Sequence, residues 1–255
     1  MKRAKTRQPA SYIERDYRAV ADRGDLISSY ATIKDTDLHI LADREVSSMA
    51  QELALRYRLQ IEKYIEKFPE FAHALAPLPP DVLAPPIVRE MLAAGCAAGV
   101  GPMAAVAGVI AEHVGRGLMQ SGCLEVIVEN GGDIYIHRNR DCTVAIFAGE
   151  SPLSLRVGVK LARLALPMAV CTSSGTVGHS LSLGQADSVT VLARSTALAD
   201  AAATRLGNEI GRSPGGHGMK RALEKSRDID GVLGVVVICR EKIGAVGDVE
   251  LVGIH

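Results

Sequence analysis

The feature that most limits the fold of this chain is an order of strands and helices that the sequence predicts twice. In the first half, alternating apolar residues predict a pair of strands joined by the turn-prone Lys34-Asp35, and a long amphipathic helix follows. Two more helices and a second pair of strands around Asn130-Gly131-Gly132 complete the unit. The predicted elements are strands at 26–33 and 36–42, helices at 45–68, 87–98 and 103–120, and strands at 124–129 and 133–137.

The second half repeats this order. Its predicted elements are strands at about 142–148, 155–161, 167–172 and 187–194, helices at 196–210 and about 216–226, and strands at 231–239 and 242–247. Hairpins separated by helices favour antiparallel sheets with helices on one face. We therefore expect an α+β fold of duplicated β-β-α-α-β-β units, in one domain over residues 1–255 whose halves cover about 20–140 and 141–250.

A doubly wound parallel sheet is the main alternative. Val126-Ile127-Val128 and the run Val235 to Ile238 are apolar enough to be buried on both faces, which is typical of parallel strands. The Gly-x-Gly-x-x-Gly turn that usually follows the first strand of such a fold is missing.

Charge and cysteine usage exclude several classes of protein. The chain has 255 residues, 47% of them hydrophobic, and a formal net charge of zero, so it gives no signal for binding nucleic acid. Its five cysteines are odd in number and never form Cys-x-x-Cys, which indicates neither a disulfide framework nor a zinc site. From this cysteine usage we expect a reducing, cytoplasmic setting. The basic N-terminus runs into no apolar stretch, so we also expect no secretory signal.

One segment is long and apolar enough to imitate a membrane span. The stretch from Met91 to Ala111 has no charged residue over about the length that a bilayer needs. It consists mostly of alanine and glycine, and Gly99-Val100-Gly101-Pro102 would break a helix in the middle. We therefore expect two close-packed helices and no membrane partner.

Three segments could carry chemistry. In Glu129-Asn130-Gly131-Gly132-Asp133 the glycines would let a ligand approach the backbone, although Asn-Gly-Gly is also an ordinary hairpin turn. In the stretch from Val170 to His179 a strand ends in hydroxyls, glycines and a histidine, which suits an oxyanion or phosphate, or simply a capped polar turn.

The third segment begins the helix at 196–210. Ser195 or Thr196 can cap that helix, and Asp200 and Thr204 lie four residues apart, hence on one face. A carboxylate and a hydroxyl are hard oxygen ligands of the kind that Mg²⁺ takes together with water and phosphate oxygens. A solvated helix face is the alternative, but the surrounding residues are alanine and leucine.

The order Gly-Gly-Asp-Ile-Tyr, then Thr-Ser-Ser-Gly…His, then Ala-Asp-Ala-x-Ala-Thr resembles the flavin transferases of the ApbE-like superfamily, over roughly residues 99–210. Those enzymes move FMN from FAD onto a protein threonine using Mg²⁺. The resemblance implies a duplicated α+β unit, Mg²⁺, FAD or a related nucleotide as ligand, and an acceptor protein.

The resemblance also implies roles for individual residues. Asp200, Thr204 and a backbone carbonyl near Ala104 would bind the metal, and His179 would be the catalytic histidine near the reacting phosphate. Asn130, Gly131, Gly132 and Asp133 would line the flavin nucleotide, and Thr172, Ser173, Ser174 and Gly175 would lie by its phosphates.

The chain departs from the family's pattern: we find no Met-Gly-Thr near the N-terminus and expect no lipoprotein signal, and two further departures lie at the predicted site. His179 is followed by Ser180-Leu181-Ser182-Leu183-Gly184 where the family has an Asp-Pro-x-Thr-Gly stretch, and Ala107 stands where the family's helix has lysine. The resemblance thus implies a divergent branch that binds a diphosphate ester such as FAD and, if catalysis survives, cleaves or transfers it. A flavin or nucleotide binding protein without turnover is the alternative. A hydrolase built on Ser173 or Cys171 with His179 lacks the Gly-x-Ser-x-Gly elbow.

Overall fold

The chain forms an eight-stranded sheet, a smaller three-stranded sheet and a layer of helices. This computed structural model describes residues 24–163, 166–174, 186–211 and 216–254. The first-half elements are β1 (Ile27–Ile33), β2 (Thr36–Ala42), α1 (Ser47–Lys67), α2 (Glu70–His73), α3 (Pro86–Ala98), a 3₁₀ helix (Pro102–Ala105), α4 (Val106–Gln120), β3 (Val126–Asn130) and β4 (Asp133–His137). The later elements are β5 (Cys142–Ala145), β6 (Val157–Leu161), β7 (Met168–Ser173), β8 (Ser188–Ala193), α5 (Thr196–Ile210), α6 (Gly216–Lys225), a 3₁₀ helix (Ser226–Asp228), β9 (Val232–Cys239), β10 (Lys242–Gly247) and β11 (Glu250–Gly253).

The large sheet has the strand order β1-β2-β3-β4-β7-β8-β9-β10, and every neighbouring pair is antiparallel. Each predicted unit therefore contributes four strands, with its helices between the second and the third. The two sets of strands meet where β4 pairs with β7. The predicted α+β class is confirmed, and the doubly wound parallel alternative is wrong. The division of the chain near residue 140 stays a prediction.

The helices cover one face of the large sheet and enclose two hydrophobic cores. Under α1, α3 and α4 the first core is built from large side chains such as Leu38, Phe71 and Met91, all fully buried. Under α5 and α6 the second core is built mainly from alanine and valine. The site described below lies where the two helical groups meet, because α5 packs against both α3 and α4.

The second face of the large sheet is covered in part by the three-stranded sheet β11-β6-β5. The sequence predicted strands at 142–148 and 155–161, but as the start of the second repeat; both are shorter and belong to this separate sheet, and β11 was not predicted. Because this second face is also covered, a strand of the large sheet can be apolar on both sides, which explains the run Val235 to Ile238 that suggested a parallel sheet. Val235 and Val237 pack under α5, whereas Val236 and Ile238 pack against the small sheet, so an antiparallel strand is buried on both faces.

The predicted break between α3 and α4 is present. Gly99 ends α3 with a left-handed backbone (φ 72°), and a Cβ at Gly101 would lie 1.7 Å from the Ala74 carbonyl oxygen, so only glycine fits there. Within the described ranges, no single helix is long and apolar enough to span a membrane. The pair Pro86–Ala98 and Pro102–Gln120 meets that criterion by length and composition only when both are taken together, and it is bent by 106°.

Candidate functional site

The turn between β3 and β4 forms one wall of the candidate site. Gly131 and Gly132 both have positive φ (68° and 107°), as a two-residue hairpin turn of this hand requires. Glu129 Oε1 accepts a hydrogen bond from the Gly132 N–H at 2.9 Å. The Asn130 amide Nδ2 donates to the Ala107 carbonyl oxygen at 3.0 Å. The turn is thereby attached to the first turn of α4.

The end of β7 lies beside this turn. Thr172 N–H donates to the Gly132 carbonyl oxygen at 3.2 Å, and Cys171 is paired with Asp133. The Thr172 hydroxyl contacts the Thr190 hydroxyl at 2.9 Å. The structure thus brings the two predicted loop segments together. Ser173 and Ser174 continue from the same strand end, whereas Gly175 and His179 lie outside the described residues.

Helix α5 carries the third predicted segment to the same place. The Ser195 hydroxyl accepts a hydrogen bond from Leu198 N–H at 3.3 Å, so of the two predicted cap candidates it is Ser195 that caps the helix. On the second turn, Asp200 Oδ2 accepts from Gly108 N–H at 2.8 Å, so its carboxylate lies against the N-terminus of α4. Thr204 follows one turn later and is partly exposed.

The remaining predicted metal ligand lies on a neighbouring element. Ala104 belongs to the 3₁₀ helix that precedes α4, and this 3₁₀ helix packs against α5. Asp200, Thr204 and Ala104 are therefore on elements in mutual contact. Their roles as metal ligands stay predictions.

Burial raises the pKa values of two carboxyl groups in the site. Burial raises the pKa of Asp200 to about 7, although hydrogen bonds from the Gly108 and Ala107 amides oppose this. The pKa of Asp133 is raised well above its usual value, first by burial and then by the charge of Asp200. Among the described residues, no lysine or arginine forms an ion pair with either carboxylate. Asp133 is buried and Asp200 is half-buried, and a bound cation would favour the ionised form of both.

The carboxylate of Asp200, the hydroxyl of Thr204 and the carbonyl near Ala104 are oxygen groups of the kind that suits a hard cation, which could also bind an anionic ligand. Over the described part of the chain, no three His, Cys, Asp or Glu side chains converge on one point, so a metal held by side chains of these types alone is not indicated. A metal held by the oxygens of Asp200 and Thr204 and a carbonyl near Ala104 would have coordination positions left for water or phosphate. Mg²⁺ takes this mixed set.

Cys171 is a poor nucleophile in this setting. Its side chain is fully buried, and burial, followed by the charges of Asp133 and Asp200, raises the pKa of the thiol well above its usual value. Nucleophilic cysteines need the opposite shift, because the thiolate is the reactive form. The local chemistry disfavours the hydrolase alternative built on Cys171.

Two residues of α4 that the sequence did not single out belong to the site. A Cβ at Gly108 would lie 2.5 Å from the Thr196 carbonyl oxygen and 2.8 Å from Asp200 Cβ, so α4 and α5 touch only because this residue is glycine. Glu112 is 1% exposed and accepts a hydrogen bond from Thr196 N–H at 2.7 Å. A lone carboxylate on an apolar helix face was the available signal, because such a group is rarely buried without partners.

Comparison with known proteins decides the family. Residues 18–247 match the family described as AbpE bacteria. The chain belongs to this family. It is 38% identical over 227 residues to a UPF0280 protein of Methanococcus aeolicus, covering 88% of this chain and 91% of that protein. It is 41% identical to the UPF0280 protein of Methanocaldococcus jannaschii, over 86% and 91% of the two chains.

The fold of this chain is also similar to that of solved ApbE flavin transferases. The apo flavinyl transferase ApbE of Pseudomonas stutzeri has a TM-score of 0.54 at 16% identity, covering 87% of this chain and 94% of that one. A flavin transferase ApbE of Vibrio cholerae has a TM-score of 0.55 at 14% identity, covering 87% and 96%. The predicted resemblance is confirmed: the protein is a divergent ApbE-like chain with the fold of these transferases.

Proposed function

We propose that this AbpE family protein binds FAD or a related dinucleotide, with Mg²⁺, in the cleft between the Gly131-Gly132 turn, the end of β7 and the start of α5. The observation that carries the proposal is the pair of the buried Asp133 and the half-buried Asp200, for which the described residues provide no basic partner. A cation would compensate these charges and could at the same time bind the diphosphate of the ligand.

The residues around the pair suit a diphosphate ester. Backbone amides at the strand end and the hydroxyls of Thr172, Ser173 and Ser174 would donate to non-bridging phosphate oxygens. Mg²⁺ held by Asp200, Thr204 and the Ala104 carbonyl would neutralise the diphosphate. The solved neighbours are flavin transferases by name, which makes a flavin dinucleotide the first ligand to test.

If catalysis occurs, the reaction is attack on the phosphorus of the FMN half. An acceptor hydroxyl oxygen forms the new bond to that phosphorus, the diphosphate P–O bond breaks, and AMP leaves. His179 would take the proton from the attacking hydroxyl. A threonine of an acceptor protein as nucleophile gives flavin transfer, and water gives hydrolysis.

The cytoplasmic setting stays a prediction.

The second candidate is binding without turnover. It is favoured by Ala107 in place of the lysine of the family and by the missing Asp-Pro-x-Thr-Gly stretch after His179, because a histidine without an orienting carboxylate is a poorer base. We expect binding to be intact and cleavage of FAD to be slow or absent.

Titration separates these candidates. FAD, ADP and ATP are added to the purified protein with and without Mg²⁺, binding is followed by calorimetry, and AMP release by chromatography. Native mass spectrometry of the fresh protein identifies any retained ligand. Asp200→Ala should abolish the rise in melting temperature that Mg²⁺ induces. Failure of all three nucleotides to bind would refute the proposal. Rapid AMP release that survives His179→Ala would show that the role given to His179 is wrong.

A further inference from the structure

Glu112 on α4 is a buried charge with two partners. It lies on the face of α4 that meets α5 and is 1% exposed. Its Oε2 accepts a hydrogen bond from Thr196 N–H at 2.7 Å, and its Oε1 forms an ion pair with Arg116 at 2.5 Å. Because removing a carboxylate from water is costly, such a group persists only where its partners compensate it.

The hydrogen bond from Thr196 of α5 to Glu112 of α4 is matched by one from Gly108 of α4 to Asp200 of α5. Thr196 is the first residue of α5, so its N–H has no partner within that helix, and Glu112 of α4 provides one. Gly108 lies in the first turn of α4, and Asp200 of α5 accepts its N–H. Each helix therefore supplies a carboxylate to the N-terminal turn of the other.

The spacing makes this exchange a geometric constraint. Gly108 and Glu112 are four residues apart on α4, and Thr196 and Asp200 are four residues apart on α5, so each pair lies on one face of its helix. The backbones touch between these contacts, since a Cβ at Gly108 would meet the Thr196 carbonyl oxygen. Two hydrogen bonds on either side of a close contact fix both the rotation and the axial position of α5 against α4.

We infer that Glu112 is a positioning residue for the site around Asp200, which it acts on through the first turn of α5. This inference rests on the proposed function for its consequence, because Asp200 is the proposed ligand of Mg²⁺. Without the Glu112 contact, α5 keeps its packing but loses one of the two carboxylate hydrogen bonds that join it to α4, and we expect it to shift about the remaining one at Gly108. A displacement of about 1 Å at a functional group is enough to lower activity or affinity a hundredfold.

Glu112 also belongs to an ion-pair chain, and a purely structural role there is the competing explanation. Arg116 lies 3.5 Å from Glu90 of α3, and His113 Nε2 lies 3.0 Å from the other oxygen of Glu90. Arg116→Gln is the matched control, because it removes the ion pair and leaves the acceptor for Thr196 N–H in place. A structural role predicts that this variant and Glu112→Ala behave alike.

The experiment compares Glu112→Ala, Glu112→Gln and Arg116→Gln by two measurements well below their melting temperatures. The first is the NMR chemical shift of the Gly108 amide proton, which reports the hydrogen bond to Asp200 directly. The second is the affinity for FAD in the presence of Mg²⁺. We expect Glu112→Ala to move the Gly108 resonance upfield and to weaken binding about tenfold or more. Glu112→Gln, whose carbonyl oxygen can accept from Thr196, and Arg116→Gln should stay near the wild type.

Each outcome decides between the explanations. An unchanged Gly108 resonance in folded Glu112→Ala, or equal losses in Glu112→Gln and Glu112→Ala, would overturn the positioning role. If the alanine variant does not fold, Glu112→Asp replaces it, since its shorter side chain keeps the charge but draws back from Thr196; an unchanged Gly108 resonance in that variant is equally decisive. If the wild type binds no nucleotide, the proposed function fails while the NMR measurement still tests the positioning.

Discussion

The two helix-covered parts of the large sheet are packed by different means. Over β1 to β4 the core contains fully buried large side chains, including Leu38, Phe71 and Met91. Over β7 to β10 the part of α5 that meets the sheet and α4 is alanine, with five fully buried alanines at 197, 199, 201, 202 and 203. Large side chains hold helices away from a sheet, and alanines let them approach. The small side chains of α5 thus allow its backbone to approach the sheet and α4. This short distance places Asp200 against α4 and near Asp133.

The first prediction tests the close contact between α5 and Gly108 of α4. Gly108→Ala should lower the free energy of unfolding by about 2–4 kcal/mol despite the better helix propensity of alanine, because the new methyl group meets the Thr196 backbone at 2.5 Å. Chemical denaturation measures this effect.

Gly117→Ala on the same helix is the matched control. There the added methyl group meets only Leu53 side-chain carbons at 2.9 Å, and a leucine side chain can move. We expect a change within about 1 kcal/mol. Equal losses of stability in the two variants would contradict the comparison, since the contact of Gly117 with Leu53 would then tolerate a methyl group no better than the contact of Gly108 with Thr196.

The second prediction compares the two cores directly. Ala202→Leu should destabilise the protein by about 1–3 kcal/mol and weaken nucleotide binding, because α5 must rise from the sheet to accept the larger side chain. Met91→Leu in the first-half core nearly conserves volume and should cost less than about 1.5 kcal/mol without changing binding. If Ala202→Leu bound nucleotide as tightly as the wild type, close packing of α5 would not be needed for the site.

The third prediction concerns pH. The pKa of Asp200 is about 7 in the folded protein and near 4 in the unfolded chain, so between these values unfolding releases a proton. The free energy of unfolding therefore falls as pH rises from about 4 to about 7 and is level above. Without Mg²⁺, the melting temperature should drop by about 4 °C or more between pH 5 and pH 8.

Asp200→Asn should flatten that decline, and Mg²⁺ at pH 8 should raise the melting temperature of the wild type but not of this variant. Asp230→Asn, at an exposed position, serves as the control and should follow the wild-type curve. A decline in Asp200→Asn that runs parallel to the wild type would assign the pH dependence to other groups.

The smallest expected effect comes from the cap of α5. Ser195→Ala removes the hydroxyl that accepts the Leu198 N–H and should cost about 0.5–1 kcal/mol. Ser48→Ala, at an exposed position inside α1, should be neutral or slightly stabilising, by less than about 0.5 kcal/mol. Thermal unfolding of both variants measures the difference. A loss of stability at Ser48 as large as at Ser195 would show that the Ser195 cap gives α5 no particular stabilisation.

Most of the fold could be predicted from the sequence because its signals are local. Local patterns of apolar residues and turns predicted all eight strands of the large sheet, and Gly99 to Pro102 marked the break between α3 and α4. The small sheet could not be assigned, because β5 and β6 show the same local pattern as strands of the large sheet. Their pairing with β11, from the far end of the chain, depends on tertiary contacts.

The candidate site divides in the same way. The sequence by itself determined the two glycines that permit the turn at 131–132, the cap at Ser195 and the common helical face of Asp200 and Thr204, since each depends on residues within one turn or hairpin. Only the tertiary structure decided that Glu112 meets Thr196 and that Asp200 lies against Gly108 with a raised pKa. Those properties depend on which distant groups exclude water from a carboxylate and donate hydrogen bonds to it, and no local pattern specifies them.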